Sequence, residues 1–274
     1  MNLFKIDETK CMKDGICSTE CPTKIINPPG KNSFPTPIDN AEEFCIMCGH
    51  CVAVCPHGAF AHRDMRPEDC RELSDGLSIS ASQGEQFLRS RRSMRSYRDE
   101  AVSREILVQL IDTARFAPSG HNSQAVEWMI IFDKKDVMKY AEMVIDWMRY
   151  MLKEQPALVA GFNLDRVVKA WEAGEDRVCR NAPHIIIAYG PEQNLNARNS
   201  CIIALTYLDL AASALKLGAC WAGYFANAAA SWPPLSKELG FPVGSTAFGA
   251  MMVGHPKYKY YRMPLRNEAR ITWK

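Results

Sequence analysis

The 274-residue chain lacks a membrane-length apolar run, a mononucleotide- or dinucleotide-binding glycine signature, and an excess of charge of either sign. Its longest apolar stretch, Cys201 to Trp221, is interrupted by Asp209 and Lys216, which suits a buried helix of a soluble protein rather than a bilayer span. Neither GxGxxG nor GxxxxGKS/T occurs, so any phosphate bound here need not belong to a dinucleotide or a nucleoside triphosphate. Thirty-three basic residues face 31 acidic ones, a net charge of +2, and no global basic field argues for nucleic acid. A signal peptide is absent before the first cysteines and the cysteine count is odd, at eleven, which argues against a disulfide framework. A reducing cytoplasm is the expected compartment.

What the chain does have is cysteine in a repeated pattern. Cys45-x2-Cys48-x2-Cys51-x3-Cys55-Pro56 has the bacterial spacing for an iron–sulfur cluster. Subtracting 34 gives Cys11, Asp14, Cys17, Cys21 and Pro22, so only Asp14 breaks the repeat, and Gly15 repeats Gly49. In such runs three thiolates face one cluster while the fourth reaches the other. One cluster would then take Cys11, Cys17 and Cys55 with Asp14 at the remaining corner, and the second Cys45, Cys48, Cys51 and Cys21. A carboxylate oxygen is a harder, weaker partner for cluster iron than a thiolate, so the Asp14 site reads as 4Fe-4S with one labile corner or as 3Fe-4S. Zinc is the competing reading of Cys-x2-Cys, but zinc favours well-separated pairs over four cysteines in one run. Roughly the first sixty residues resemble two-cluster bacterial-type ferredoxins. Cys70, Cys179, Cys201 and Cys220 lack motif spacing and read as ordinary small side chains.

The rest of the chain reads as a second domain: 1–63 is ferredoxin-type, 64–80 a linker and 81–274 the second domain. Ser82-Gln-Gly-Glu85 resembles a capping box opening a helix with Phe87 and Leu88 on its apolar side. Ser103 caps a helix with Ile106, Leu107, Leu110, Ile111 and Ala114 on one face. Val126 to Phe132 alternates as a strand, and Asp136 to Leu152 has helical spacing. A buried strand is expected over Pro183–Tyr189, a long helix over Ser200–Leu217, and further strands at Ala219–Tyr224, Thr246–Val253 and Ala269–Trp273. Helices and strands without a regular βαβ rhythm predict an α+β sandwich.

Arg89, Arg91, Arg92, Arg95 and Arg98 with Ser93 and Ser96 between them suit a phosphate, through guanidinium forks and hydroxyl donors. Arg91-Arg-Ser-Met-Arg95 followed by Pro118-Ser-Gly-His-Asn-Ser-Gln124, Gly218-Ala-Cys-Trp-Ala-Gly-Tyr-Phe225, Gly254-His-Pro256 and Tyr261-Arg-Met-Pro264 closely resembles the FMN-dependent nitroreductase family. Ferredoxin fusions are a known subgroup of it, so the resemblance extends over the whole chain. It implies FMN phosphate and ribityl ligands at Arg91, Ser93 and Arg95, with Arg92 beside them and Arg262 closing on the same phosphate. It places Pro118, Ser119, Gly120 and Asn122 in a loop that meets flavin across a dimer interface. It puts the backbone of Ala222 and Gly223 near the flavin ring, where an amide can support the reduced form. Ala125 replaces the proline common after the family's glutamine. His121 in the flavin loop is the tentative proton donor, against the reading of an exposed loop histidine.

The implied protein is a homodimer with two FMN sites and a ferredoxin domain with each. Electrons would enter from a low-potential donor, a ferredoxin or a hydrogenase-type enzyme, and leave to a nitroaromatic, quinone or activated alkene. The alternatives are an NAD(P)H-driven flavin reductase with accessory clusters, or a redox sensor and electron relay to a protein partner.

Overall fold

The structure, a computed structural model, describes residues 2–274. By internal contacts the chain divides into two units, one reaching to Ile79 and including His121–Ser123, the other formed by Ser80–Gly120 and Gln124–Lys274.

The first unit is built on the repeat. Strand β1 (Phe4–Ile6), helix α1 (Ile16–Glu20) and strands β2 (Ile26–Asn27) and β3 (Thr36–Pro37) are followed by helices α2 (Ala41–Phe44) and α3 (His50–Ala53) and strand β4 (Phe60–His62). β1 pairs antiparallel with β4, and β2 with β3. The repeated glycines do the same work in both halves: Gly15 and Gly49 have φ +73 and open α1 and α3. That left-handed backbone strains any residue with a Cβ, and a Cβ on Gly49 would also meet Met65 Sδ at 2.7 Å. Leu3, Phe4, Ile25, Ile26, Val52 and Phe60 form the small core, with Cys17 and Cys21 buried in it.

The second unit is a four-stranded antiparallel sheet between two helical layers. Helices α4 (Ala81–Ser90) and α5 (Arg104–Ala114) precede strand β5 (Glu127–Ile131). Helices α6 (Lys134–Glu154), α7 (Pro156–Val159) and α8 (Leu164–Glu172) lead to β6 (His184–Pro191) and α9 (Ala197–Ala214). Strand β7 (Gly218–Trp221), α10 (Gly223–Ser231), α11 (Pro233–Leu239) and β8 (Ser245–Gly254) complete it. The strand order is β5-β6-β8-β7.

Strand period explains the layers. Side chains of β6 alternate, so Ile185 and Ile187 join α6, α8, α10 and α11 in one core, while Ile186 and Ala188 join α5 and α9 in the other. All four are fully buried, so β6 is apolar on both faces although the sheet is antiparallel. On α6 the buried Val137, Ala141, Val144, Ile145 and Met148 recur at helical spacing. The expected α+β sandwich is what is found.

Four local expectations need correction. The capping box lies two residues earlier: Ser80 Oγ accepts from Gln83 N, and the Gln83 side chain accepts from Ser80 N at 2.8 Å. Leu88 is exposed, leaving Phe87 as the half-buried residue on α4. Strand β7 stops at Trp221, because Gly223 starts α10 within the alanine-rich segment GYFANAAAS. Residues 269–273 form no strand and are exposed; alternating apolar residues without a neighbouring edge have no ladder partner.

Candidate functional site

In the first unit the eight sequence-predicted ligands separate into two groups. Cys11, Asp14, Cys17 and Cys55 line one cavity, with Ile6, Ala59 and Phe60 around them. Cys21, Cys45, Cys48 and Cys51 line a second, with Ile25, Ile46, Phe60 and His62. Each cavity therefore draws three ligands from one half of the repeat and one from the other. Asp14 Oδ1 accepts from Ile16 N at 3.1 Å, the bond that starts α1, and its other oxygen is free of that contact.

The electrostatics follow the same division. Burial raises the Cys17 thiol, and the neighbouring Asp14, Cys11 and Cys55 push in the same direction. Burial likewise pushes Cys51 up to about 12, with Cys48, Cys21 and Cys45 adding to it. Buried thiols that repel one another's charge require a strongly positive centre to become thiolates together, which is what cluster iron provides. Among the described residues no group of three or more His, Cys, Asp or Glu side chains is placed to hold a single metal ion. The donor set fits iron–sulfur clusters.

In the second unit, residues 91–98 run as extended chain held at both ends. Met94 N donates to Ala219 O at 2.9 Å, Arg98 N donates to His255 O at 2.9 Å, and Lys257 N donates to Ser96 O at 3.0 Å. Arg91 is only partly free: its Nη1 donates to Asp209 Oδ2 at 3.0 Å, and Asp209 is 4% exposed. Burial raises the Asp209 carboxyl, and the Arg91 guanidinium opposes that rise. Arg92 Nη2 donates to Arg89 O at 3.2 Å, while its buried Nε has no hydrogen-bond partner. Ser93 lies against the Cys220 thiol, and Arg95 is exposed with Nη1 3.5 Å from Ser93 O. Leu88, Arg89, Arg91 and Arg92 face Met263–Ala269 across a cleft of about 670 Å³, with Arg266 on the far wall. Arg262 itself is exposed and is not among the residues lining that cleft. Four arginines lining one cleft, one of them with a buried unpartnered guanidinium nitrogen, fit an anionic group such as a phosphate.

The loop is divided. Ser119 Oγ accepts from Gln124 N at 3.0 Å. Gly120 packs closely on a side chain, since a Cβ there would meet Asn196 Cγ at 2.5 Å unless Asn196 shifted. Pro118 and Ser119 line a small cavity with Trp128 and Ser200. His121, Asn122 and Gln124 all have φ near +50. Asn122 belongs to the first unit, where its Nδ2 donates to Ile46 O at 3.1 Å and Met47 O at 3.0 Å; its amide is engaged rather than waiting for a ligand. His121 is exposed and makes no side-chain hydrogen bond among the described residues.

The backbone amides of Ala222 and Gly223 stand in different environments. Ala222 N already donates to Ala250 O at 2.9 Å and cannot serve a ligand. Gly223 is exposed at the first turn of α10, with nothing within 4 Å of a Cβ position, so it is not a packing glycine of a strand. Its amide stands among the helix-opening donors that lack an intrahelical partner.

Residues 88–255 match the nitroreductase family model. The chain belongs to the nitroreductase family. Residues 9–60 match the 4Fe-4S dicluster domain, so this family member carries an N-terminal ferredoxin domain. Among solved structures, a nitroreductase with bound FMN from Desulfitobacterium hafniense is 26% identical with a TM-score of 0.55, covering 69% of this chain and 96% of its own. An FMN-bound nitroreductase from Bacteroides fragilis is 17% identical with a TM-score of 0.57, covering 69% and 98%. A BluB-like flavoprotein from Clostridium difficile is 17% identical with a TM-score of 0.53, covering 70% and 96%; at that identity the likeness speaks for the fold alone. No curated protein matches the chain. Among the described residues no helix is long and apolar enough to cross a membrane.

Sequence reasoning missed Asp209 and His62. A lone acid inside the apolar run Cys201–Trp221 was the available signal for Asp209, since a buried carboxylate demands a cation and the arginine cluster offered one. His62 carried no pattern that could single it out.

Proposed function

We propose that this nitroreductase-family protein is an FMN-dependent iron–sulfur oxidoreductase. It would draw electrons from an external low-potential donor through two clusters and deliver them to a nitroaromatic, quinone or activated-alkene acceptor. The observation that carries the reading is the sorting of eight predicted ligands into two separate four-residue sets, in a chain whose other unit is a nitroreductase. When bound, the clusters would supply one-electron carriage and FMN the conversion between single electrons and pairs.

The chain's own residues have defined parts. Cys21, Cys45, Cys48 and Cys51 hold one cluster; Cys11, Cys17, Cys55 and Asp14 hold the other, with Asp14 the exchangeable ligand. Arg92, whose Nε is otherwise orphaned, binds the FMN phosphate with Arg91, and Arg91 is steered by Asp209. Ser93, Arg95 and Arg262 complete the cofactor contacts, and the Gly223 amide faces the ring. Assembly as a homodimer is supported by apolar side chains exposed on the second unit: Tyr261 at 81%, Leu265 at 96% and Trp273 at 88%. Pro118, Ser119 and Gly120 would act across that interface.

Anaerobic stopped-flow with the full-length holoprotein tests the donor, following cluster and flavin absorbance separately. Reduced ferredoxin is expected to reduce the clusters before the flavin, and NADPH to reduce neither. Direct flavin bleaching by NADPH would overturn the electron route and make the clusters accessory.

A further inference from the structure

His62, at the end of β4, is buried against a cysteine sulfur: its Nε2 is 3.6 Å from Cys45 Sγ. Its other nitrogen fixes the tautomer. Asp64 N donates to His62 Nδ1 at 3.1 Å, and a backbone N–H can only donate, so Nδ1 carries no proton. The Asp64 carboxylate is 3.9 Å away, beyond hydrogen-bond reach. The ring proton therefore sits on Nε2 and points at the Cys45 sulfur. The backbone clamps the ring: His62 N donates to Met65 O at 2.9 Å, Met65 N returns to His62 O at 3.2 Å, and His62 is in register with Phe4.

The repeat supplies an internal comparison. Moving 34 residues back takes Cys45 to Cys11 and His62 to Pro28, which has no side-chain donor. The first set instead receives a backbone donor, Ala59 N to Cys55 Sγ at 3.3 Å. In the second set Thr23 Oγ1 also stands 3.7 Å from Cys21 Sγ.

The geometry points to His62 as a tuning residue: its Nε2–H donates to the Cys45 thiolate and raises the reduction potential of the cluster held by Cys21, Cys45, Cys48 and Cys51. The reason is electrostatic. Reduction adds one electron, the sulfur ligands become more negative, and a fixed N–H dipole stabilises the reduced state more than the oxidised one. No bond is made or broken and no proton moves; the electron comes from the one-electron reductant of the titration. The inference rests on the ligand assignment proposed above.

The test is a potentiometric titration of the anaerobic holoprotein, with each cluster followed by its electron paramagnetic resonance signal. In His62→Leu the reduced-to-oxidised ratio of this cluster at fixed potential should fall about tenfold, a shift of about 59 mV for a one-electron couple. The other cluster should not move, and His62→Gln, which keeps an N–H, should recover most of the shift. An unchanged potential in His62→Leu, or an equal shift of both clusters, overturns the tuning role. Should His62→Leu fail to assemble, pulsed resonance on histidine-15N-labelled wild-type protein decides: a nitrogen coupling to this cluster that survives His50→Gln supports the role, and its absence overturns it. Failure of the ligand assignment looks different, as iron and sulfide analysis of wild-type protein would then show one cluster or none.

Discussion

Replacing Arg91 by alanine should expose the cost of a buried acid without its cation. Asp209 accepts one hydrogen bond on its carboxylate among the described residues, from Arg91, whose side chain is 26% exposed. Removing one partner of a buried pair costs about 3–5 kcal/mol, and water reaching the vacated site places Arg91→Ala near the lower end, about 3 kcal/mol at pH 7.5. Proton uptake limits the charge part of that cost to about 1.36 kcal/mol for each pH unit above an unfolded value of about 3.9, hence about 2 kcal/mol at pH 5.5. The sign follows from burial having raised the Asp209 carboxyl: the stability of the neutral acid is present below the unfolded value and is lost as pH rises through the folded one. Urea denaturation followed by tryptophan fluorescence reads the right unit, because Trp128, Trp147, Trp171, Trp221, Trp232 and Trp273 all lie in it. Arg91→Ala should lose less at pH 5.5 than at pH 7.5, and adding Asp209→Asn should restore more than half the loss. A loss that ignores pH, or a double variant no more stable than Arg91→Ala, would refute the reasoning.

Two further substitutions probe the same unit. His184 is fully buried, with Nε2 accepting from Val102 N at 2.8 Å and Nδ1 donating to Phe132 O at 2.7 Å, so His184→Leu strands both groups and should cost about 2–4 kcal/mol in urea. Burial lowers the His184 pKa, so its contribution is full above the unfolded value of about 6.5 and falls as pH drops toward the folded one; wild type, unlike the variant, should lose that increment between pH 7.5 and 5.5. Gly120→Ala would press on Asn196 at 2.5 Å and should destabilise by about 1–3 kcal/mol, whereas an unchanged denaturation midpoint would mean that Asn196 moves aside freely.

Sequence and structure agree where the signal is local and periodic. The cysteine runs were legible because ligand spacing around a cluster is set by a few residues of chain, α5 and α6 because each carries an apolar period that matches its burial, and β6 because it is a short unbroken apolar run. Helix α10 was not, since an alanine-rich stretch following a strand has no strong period and Gly223 reads equally as strand or helix start. The Arg91–Asp209 pair was out of reach because its members are 118 residues apart and only the tertiary fold joins them. Likewise Ala222 matched the family motif by letter, but its amide hydrogen bond to Ala250 depends on the pairing of β7 with β8.

The proposed exchange of ligands between the halves of the repeat, if it holds, also bears on how the first unit is built. Joining Cys17 to Cys55 through one cluster closes a loop of 38 residues, and joining Cys21 to Cys45 through the other closes one of 24, the smaller lying inside the larger. By the chain-entropy estimate for cross-links, each closure removes about 3–4 kcal/mol of unfolded-state freedom, comparable to what a small core supplies. Metal loading and folding then become one nested event. A cell short of iron would accumulate this protein with an intact flavin unit and a protease-sensitive N-terminus, rather than with a folded ferredoxin awaiting its clusters.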